Sequence, residues 1–310
     1  MRTLACAAAF AVATQLAPPG QPQGQRIRIG VNMTTIESAP VFVAVRDGKD
    51  VRIDLQSGGI PLLLDGGVDA ATNSETQALL RSIDRPDLRI VMTVAECAYR
   101  IVARRASGIT ALADLRGKKI GTPANTSSHF YLIKALRTAG VVAADVTVVP
   151  MPVTDMAAAL TRGDVDAVSG WEPGAHDSIA ALGSGGVTFQ PPGLYRELFD
   201  LNTTTTVLND PARRAALVAA VRAIVAASTE VRTKPSAVWP VVSSRINVPA
   251  STMNDVWTHF RFPAALPDDM LNVLGDEEEW VAGVQKREPR TRAQLAALLD
   301  SSVLRDASRP

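Results

Sequence analysis

Three successive hydroxyl residues, Thr126-Ser127-Ser128, stand before His129 and a stretch in which Phe130, Ile133 and Leu136 share one helical face. The first turn of a helix leaves N–H groups unpaired, and those groups together with the helix dipole hold a sulfonate, carboxylate or nitrate well. Plain N-capping accounts for one such serine, and a run of three exceeds that need. His129 either donates to the anion or lies on the outer helix face. Further along, Trp171-Glu172 closes a strand-like segment. Trp171 either walls a cavity over an apolar part of a solute or packs in a core, and Glu172 either pairs with an amine or faces water. Asn73-Ser74-Glu75 and Glu96 also fall at strand ends, where acids near an anion site would suit a zwitterion. As helix-cap and hinge-surface charges they would have no such role. Thr34-Thr35 and Thr203-Thr204 offer further hydroxyls, or serve as polar strand filler.

Other chemistries lack their residues. Cys6 and Cys97 are the two cysteines, too few for a disulfide framework or a cysteine-rich metal site. His176 and His259 have no partner at metal-ligand spacing and no carboxylate cluster is legible, so neither metal nor cofactor is expected. Cys97 has no histidine beside it and reads as a buried structural thiol rather than a nucleophile. A net charge of +1 provides no surface for nucleic acid. Asp276-Glu277-Glu278-Glu279 reads as a solvated helix start, and Arg104-Arg105 as a surface pair.

The elements that must position these residues alternate between strand and helix. Ile27, Ile29 and Val31 alternate with polar positions, as do Val51 to Leu55, with a helix expected between them. Val68 to Thr72 and Leu88 to Val94 give two more strands, separated by a helix from Glu75 to about Ile83. The pattern restarts after Ile101-Val102-Ala103, where Leu112 to Pro123 reads as helical turn, glycine stop, strand and loop, with further strands at Val146 to Val149 and Val165 to Val168 and helices at Ser127 to Gly140 and Asp155 to Thr161. A polar strand at Thr203 to Leu208 would return the chain to the first unit. Asp210-Pro211 then starts a long helix buried through Leu217, Val221, Ile224 and Val225. Helices at about Ser251 to Phe260, Pro267 to Gln285 and Thr291 to Leu299 complete the chain. The fold class is therefore α/β, with mostly parallel sheets covered by helices. A 310-residue chain that is 46% hydrophobic can bury two such cores. Met1-Arg2, the small apolar run to Ala13 and the Pro/Gly/Gln linker to Gln25 have the layout of a secretory signal, with cleavage after Ala13 or Ala17 both open.

Three segments of the second unit resemble the substrate-binding proteins of ABC importers for sulfonates, taurine and nitrate, a branch of the type II periplasmic binding protein fold. They are Leu112-Ala113-Asp114-Leu115-Arg116-Gly117-Lys118, then Asn125-Thr126-Ser127-Ser128-His129-Phe130, and Gly163-Asp164-Val165-Asp166-Ala167 running into Trp171-Glu172-Pro173. The resemblance implies two lobes joined by two hinge crossings, placed near Ala98 to Ala103 and Asn202 to Val207, with one ligand in the cleft. The segment Ala44 to Lys49 departs from the family in being shorter and more charged. The expected division is signal and linker 1–25, lobe I 26–100, lobe II 101–205, and lobe I again with C-terminal helices 206–310. The implied function is a periplasmic solute-binding component. It would be a monomer that closes on a small anion or zwitterion and presents it to a membrane permease. Its ligand contacts would come from Thr34, Thr35, Asn73, Ser74, Glu75, Glu96, Thr126, Ser127, Ser128, His129, Trp171, Glu172 and Thr203. An enzyme on the same fold, sulfinate-cleaving or pyrimidine-synthesising, and a sensory binding protein are the alternatives.

Overall fold

Alternation of Ile27, Ile29 and Val31 produces β1 (Ile27–Val31), whose apolar side chains are fully buried. The computed structural model describes residues 26–46 and 53–309, so the expected signal segment, Val51-Arg52 and Asp47-Gly48-Lys49 lie outside the described residues. The other strands are β2 (Ile53–Ser57), β3 (Ala70–Ser74), β4 (Leu88–Cys97), β5 (Arg100–Arg104), β6 (Lys119–Thr122), β7 (Thr147–Pro150), β8 (Ala167–Gly170), β9 (Gly186–Phe189), β10 (Glu197–Thr204) and β11 (Phe260–Arg261). One sheet has the order β11-β4-β10-β3-β1-β2 and the other β7-β6-β8-β5-β9. β10 runs antiparallel to both β3 and β4, and β5 antiparallel to β8 and β9, while β1 pairs in parallel with β2 and β3 and β6 with β7 and β8. β11 is also antiparallel to β4, so both sheets are mixed rather than mostly parallel as expected, because β5 and β10, the strands that follow the two crossings, enter their sheets reversed.

The chain passes between the sheets at Ala98-Tyr99 and again between Phe189 and Glu197. The second crossing was expected at Asn202 to Val207, and residues 197–204, expected in lobe II, instead form a strand of the first sheet. The reason is that β10 is buried along its whole length despite Glu197, Asp200, Asn202, Thr203 and Thr204, so its polarity disguises a central strand. Hydrogen bonding makes this burial tolerable: Thr93 Oγ1 donates to Asp200 Oδ1 at 2.7 Å, and Thr203 Oγ1 to the Asp69 carbonyl at 2.8 Å. Thr204 ends the strand by capping the short helix Thr205–Asn209.

Helices cover the first sheet on both faces. The long helix Pro211–Thr233, capped by Asp210 through the N–H groups of Ala212 and Arg213, packs its Leu217, Val221 and Ile224 with Ile27, Ile29 and Val31. On the other face Leu274 and Val281 of helix Met270–Gln285 meet Leu79, Ile90 and Leu198. The acidic run expected at a solvated helix start sits in the middle of that helix. Glu277 and Glu278 are buried, Glu278 between Arg287 and Arg290 and Glu277 against the Thr76 hydroxyl. Among the described residues no helix is long and apolar enough to cross a membrane.

Candidate ligand cleft

Helix Ser127–Thr138 forms where the sequence places it. Thr126 is extended (φ −126°, ψ 170°), Phe130, Leu132, Ala135 and Leu136 are buried, and Gly140 beyond its end adopts φ 67°, a left-handed value natural to glycine. Its start borders a cavity of about 620 Å³ to which both sheets contribute. From the first sheet's side come Asn32, Thr35, Glu37, Asn73, Ser74, Glu197 and Phe199, and from the second Asn125, Thr126, Ser127 and Trp171, with Tyr99 from the first crossing. Gln77, Arg81 and Gln285 add polar groups at its edge.

The hydroxyls at the helix start do not cap it. Thr126 Oγ1 donates to the Pro123 carbonyl (2.7 Å), Ser127 Oγ pairs with the Tyr99 hydroxyl (2.9 Å), and Ser128 Oγ is held by Thr122 (3.1 Å) and Ser169 (3.3 Å). The N–H groups of Ser127, Ser128 and His129 therefore have no acceptor within the helix and can turn to a solute.

Six of the expected residues line the cavity: Thr35, Asn73, Ser74, Thr126, Ser127 and Trp171. The other seven sit elsewhere. Thr34 is exposed and bound to Asn32 Oδ1. Glu75 accepts from the Tyr195 hydroxyl (2.5 Å) and Leu198 N–H (3.0 Å), tying the second crossing to the first sheet. Glu96 pairs with Arg196 at 3.1 Å in a separate groove beside Arg261. Ser128 is buried behind the helix start. His129 Nδ1 accepts from Asn125 N–H, its ring meets Trp280 edge-on, and burial pushes its pKa down, which favours a neutral imidazole. Glu172 is buried within 2.6 Å of Arg100 Nε and accepts from His176 N–H, so it is already paired. Thr203 fills a strand. The polar residues that missed the cleft are those whose neighbours in the fold satisfy them.

Glu37, Tyr99, Glu197 and Phe199 were not anticipated. Glu37 stands two residues beyond Thr34-Thr35 in the same loop after β1, so its position is legible from theirs. Glu197 lay in a segment not read as a strand, and no local signal marks it. Glu37, Cys97 and Glu197 come together at the cleft floor with their ligand-type atoms within 4.8 Å of one another, a cluster invisible in a sequence that separates them by 60 and 100 residues. Burial, then the charges of Glu37, Glu197 and Glu172, push the Cys97 thiol up, so it is kept protonated.

Two mixed sheets, two crossings and a cavity between them define the two-lobed periplasmic binding protein class. The chain is similar to the periplasmic aliphatic sulphonate binding protein SsuA from Escherichia coli, with a TM-score of 0.73 and 19% identity over 87% of this chain and 91% of that one. It is also similar to the periplasmic nitrate-binding protein NrtA from Synechocystis PCC 6803, with a TM-score of 0.74 and 14% identity over 93% and 89%. The chain belongs to the NMT1/THI5 like family, which it matches over residues 46–234. A curated relative from Escherichia coli (strain K12), named "Putative aliphatic sulfonates-binding protein", is 36% identical over 104 residues, 34% of this chain and 30% of that relative's length.

Proposed function

We propose that the protein is the extracytoplasmic solute-binding component of an ABC importer, capturing a small anionic or zwitterionic solute and handing it to a membrane permease. The observation that carries this reading is the cavity with a free helix start, Thr126-Ser127, on one wall and the first sheet's strand ends on the other. Such a solute would pull the walls together, and the crossings at Ala98-Tyr99 and residues 190–196 would act as the hinge. Tyr99 and Tyr195, one from each crossing, pack edge to face at 5.5 Å. Contacts across the rim are ready to hold a closed form: Gln77 Nε2 donates to the Asn125 carbonyl, and Lys134 pairs with Asp276. The sulfonate- and nitrate-binding relatives support an anionic group on the solute and a periplasmic location.

In this reading no bond is made or broken. A protonated, buried Cys97 is a poor nucleophile, so Cys97→Ser is expected to leave ligand binding intact. The test is thermal unfolding against alkanesulfonates, taurine, nitrate, aromatic carboxylates and pyrimidines. A solute at 100 times its Kd stabilises by about 2.7 kcal/mol. A shift confined to one anionic class supports capture of that class, and no shift with any anion removes the helix-start site.

A further inference from the structure

The floor of the cleft has chemistry that an anion alone does not use. Thr35, Glu37 and Glu197 line the cavity and are 3%, 2% and 3% exposed, yet Thr35 Oγ1, Glu37 Oε2 and Glu197 Oε2 have no hydrogen-bond partner. A carboxylate oxygen buried without a donor costs roughly 1–3 kcal/mol or more, a cost shared by Asp200 Oδ2 and Glu277 Oε2, which do not line the cavity, and met by donors at other buried acids. Glu172 has Arg100, Glu278 has two arginines, and Glu75 has a hydroxyl and an N–H. The lining also carries three acids, Glu37, Asp84 and Glu197, against the single cation Arg81 among the described residues.

We infer that this floor is a subsite for a cationic nitrogen of the solute, an ammonium or amidinium group held between the carboxylates of Glu37 and Glu197. The two side chains lie close enough, within 4.8 Å through their nearest ligand-type atoms, for one nitrogen to reach both at the roughly 2.7–2.9 Å of a charge-assisted hydrogen bond. Thr35 supplies a third acceptor. Tyr99, Trp171 and Phe199 line the same cavity, and the rings of Tyr99 and Trp171 stand 6.2 Å apart, so the walls offer aromatic surface that favours a cation over an anion. Burial holds both carboxyls up, with the charge of Glu172 adding at Glu37, which is pushed up to about 7, and the charge of Glu37 adding at Glu197, as expected of acids without a counter-charge. A metal ion would need the Cys97 thiol, which does not line the cavity and leans on the Ala98 carbonyl at 3.7 Å.

The inference rests on the solute-capture reading and makes the solute a zwitterion, its anionic end at the Thr126-Ser127 helix start and its nitrogen on the floor. Matched probe pairs test it by calorimetry on the folded chain: taurine against ethanesulfonate, and β-alanine against propionate. The amino member of at least one pair is expected to bind 30-fold or more tighter, and both Glu37→Gln and Glu197→Gln to bring it within about threefold of its partner. Equal or tighter binding of the des-amino members, or a preference that survives both substitutions, overturns the subsite and leaves solute capture standing. No binding by any of the four, with a thermal shift for nitrate or an aromatic carboxylate, overturns the subsite alone, and no binding with no shift for any anion overturns capture and subsite together. Tight zinc binding abolished by Cys97→Ser, with the amino and des-amino probes equal, reassigns the floor to a metal ion. The wild-type comparison stands even where a substitution impairs folding.

Discussion

The two walls of the cleft are built by opposite means. On the second sheet's side, one continuous segment, Asn125 to Phe130, delivers backbone N–H groups through the start of a single helix, and its hydroxyls brace the loop and the cleft walls. On the first sheet's side, Glu37, Asn73 and Glu197 arrive from three distant segments, Glu37 from the helical turn Ile36–Ser38 after β1 and the other two aimed by strand pairing, Asn73 lying opposite Asp200 and Glu197 opposite Cys97. A wall made by one helix end tolerates loss of side chains, because its donors belong to the backbone. A wall made of converging strands depends on the pairing that brings them together.

The largest effect is therefore expected where that pairing is tied down. Glu75→Ala strips the buried Tyr195 hydroxyl and Leu198 N–H of their acceptor and should lower unfolding free energy by about 2–4 kcal/mol, measured by urea titration, while Glu75→Gln should cost less than half of that. A loss below about 0.5 kcal/mol for the alanine variant would mean that the second crossing is held by packing instead. Next comes the helix start. Ser127→Pro keeps the helix, since proline suits its first position, but removes one N–H. It should weaken the binding of an anionic solute about tenfold or more, against a few-fold for Ser127→Ala. Equal losses would assign that wall to the hydroxyl rather than to the backbone.

Behind the first wall, a buried acid has a signature in pH. Burial pushes Glu277 up to about 8 from an ordinary 4.5, with Thr76 and Glu75 bonded to it. An acid raised in the folded state stabilises most below its unfolded value. That contribution is complete below about pH 4.5 and is lost as the pH rises through about 8. Glu277→Gln should flatten the decline in unfolding free energy across this window by up to about 1.4 kcal/mol per pH unit. An unchanged slope would show that Glu277 titrates normally. The smallest effect is expected at the rim, where Lys134→Ala removes a partly exposed pair with Asp276 and should change stability by about 0–1 kcal/mol. A larger loss would mark the rim as structural.

The contrast between the walls also separates what was legible from what was not. Alternating apolar residues announced β1 and β2, and the Phe130 face announced its helix, because secondary structure that buries one face leaves a period in the chain. Only the residues of the local helix-start motif and the loop ends beside strands were recognisable as cleft residues. β10 differs from the polar return strand expected at Thr203 to Leu208 because Glu197, Asp200 and Asn202 carry no apolar alternation, while the structure buries them all. Glu277 and Glu278 were read as solvated for the same reason: a charge's partner, whether Thr76, Arg287 or Arg290, lies far from it in the chain.

By itself the sequence determined the α/β class, most of the elements and the helix whose start can meet an anion, since these follow from spacing within a dozen residues. Tertiary structure alone decided which acids are neutralised and which are left facing the cavity. Glu75, Glu96 and Glu172 look no different in sequence from Glu37 and Glu197. Only the fold provides the first three with donors, Glu75 and Glu96 from residues 195–198 and Glu172 from Arg100 and the His176 N–H, and leaves Glu37 and Glu197 each with an unbonded oxygen at the cleft floor. Hydrogen bonds and charge pairing act over a few ångströms of space, and no local pattern encodes separations of 60 or 100 residues.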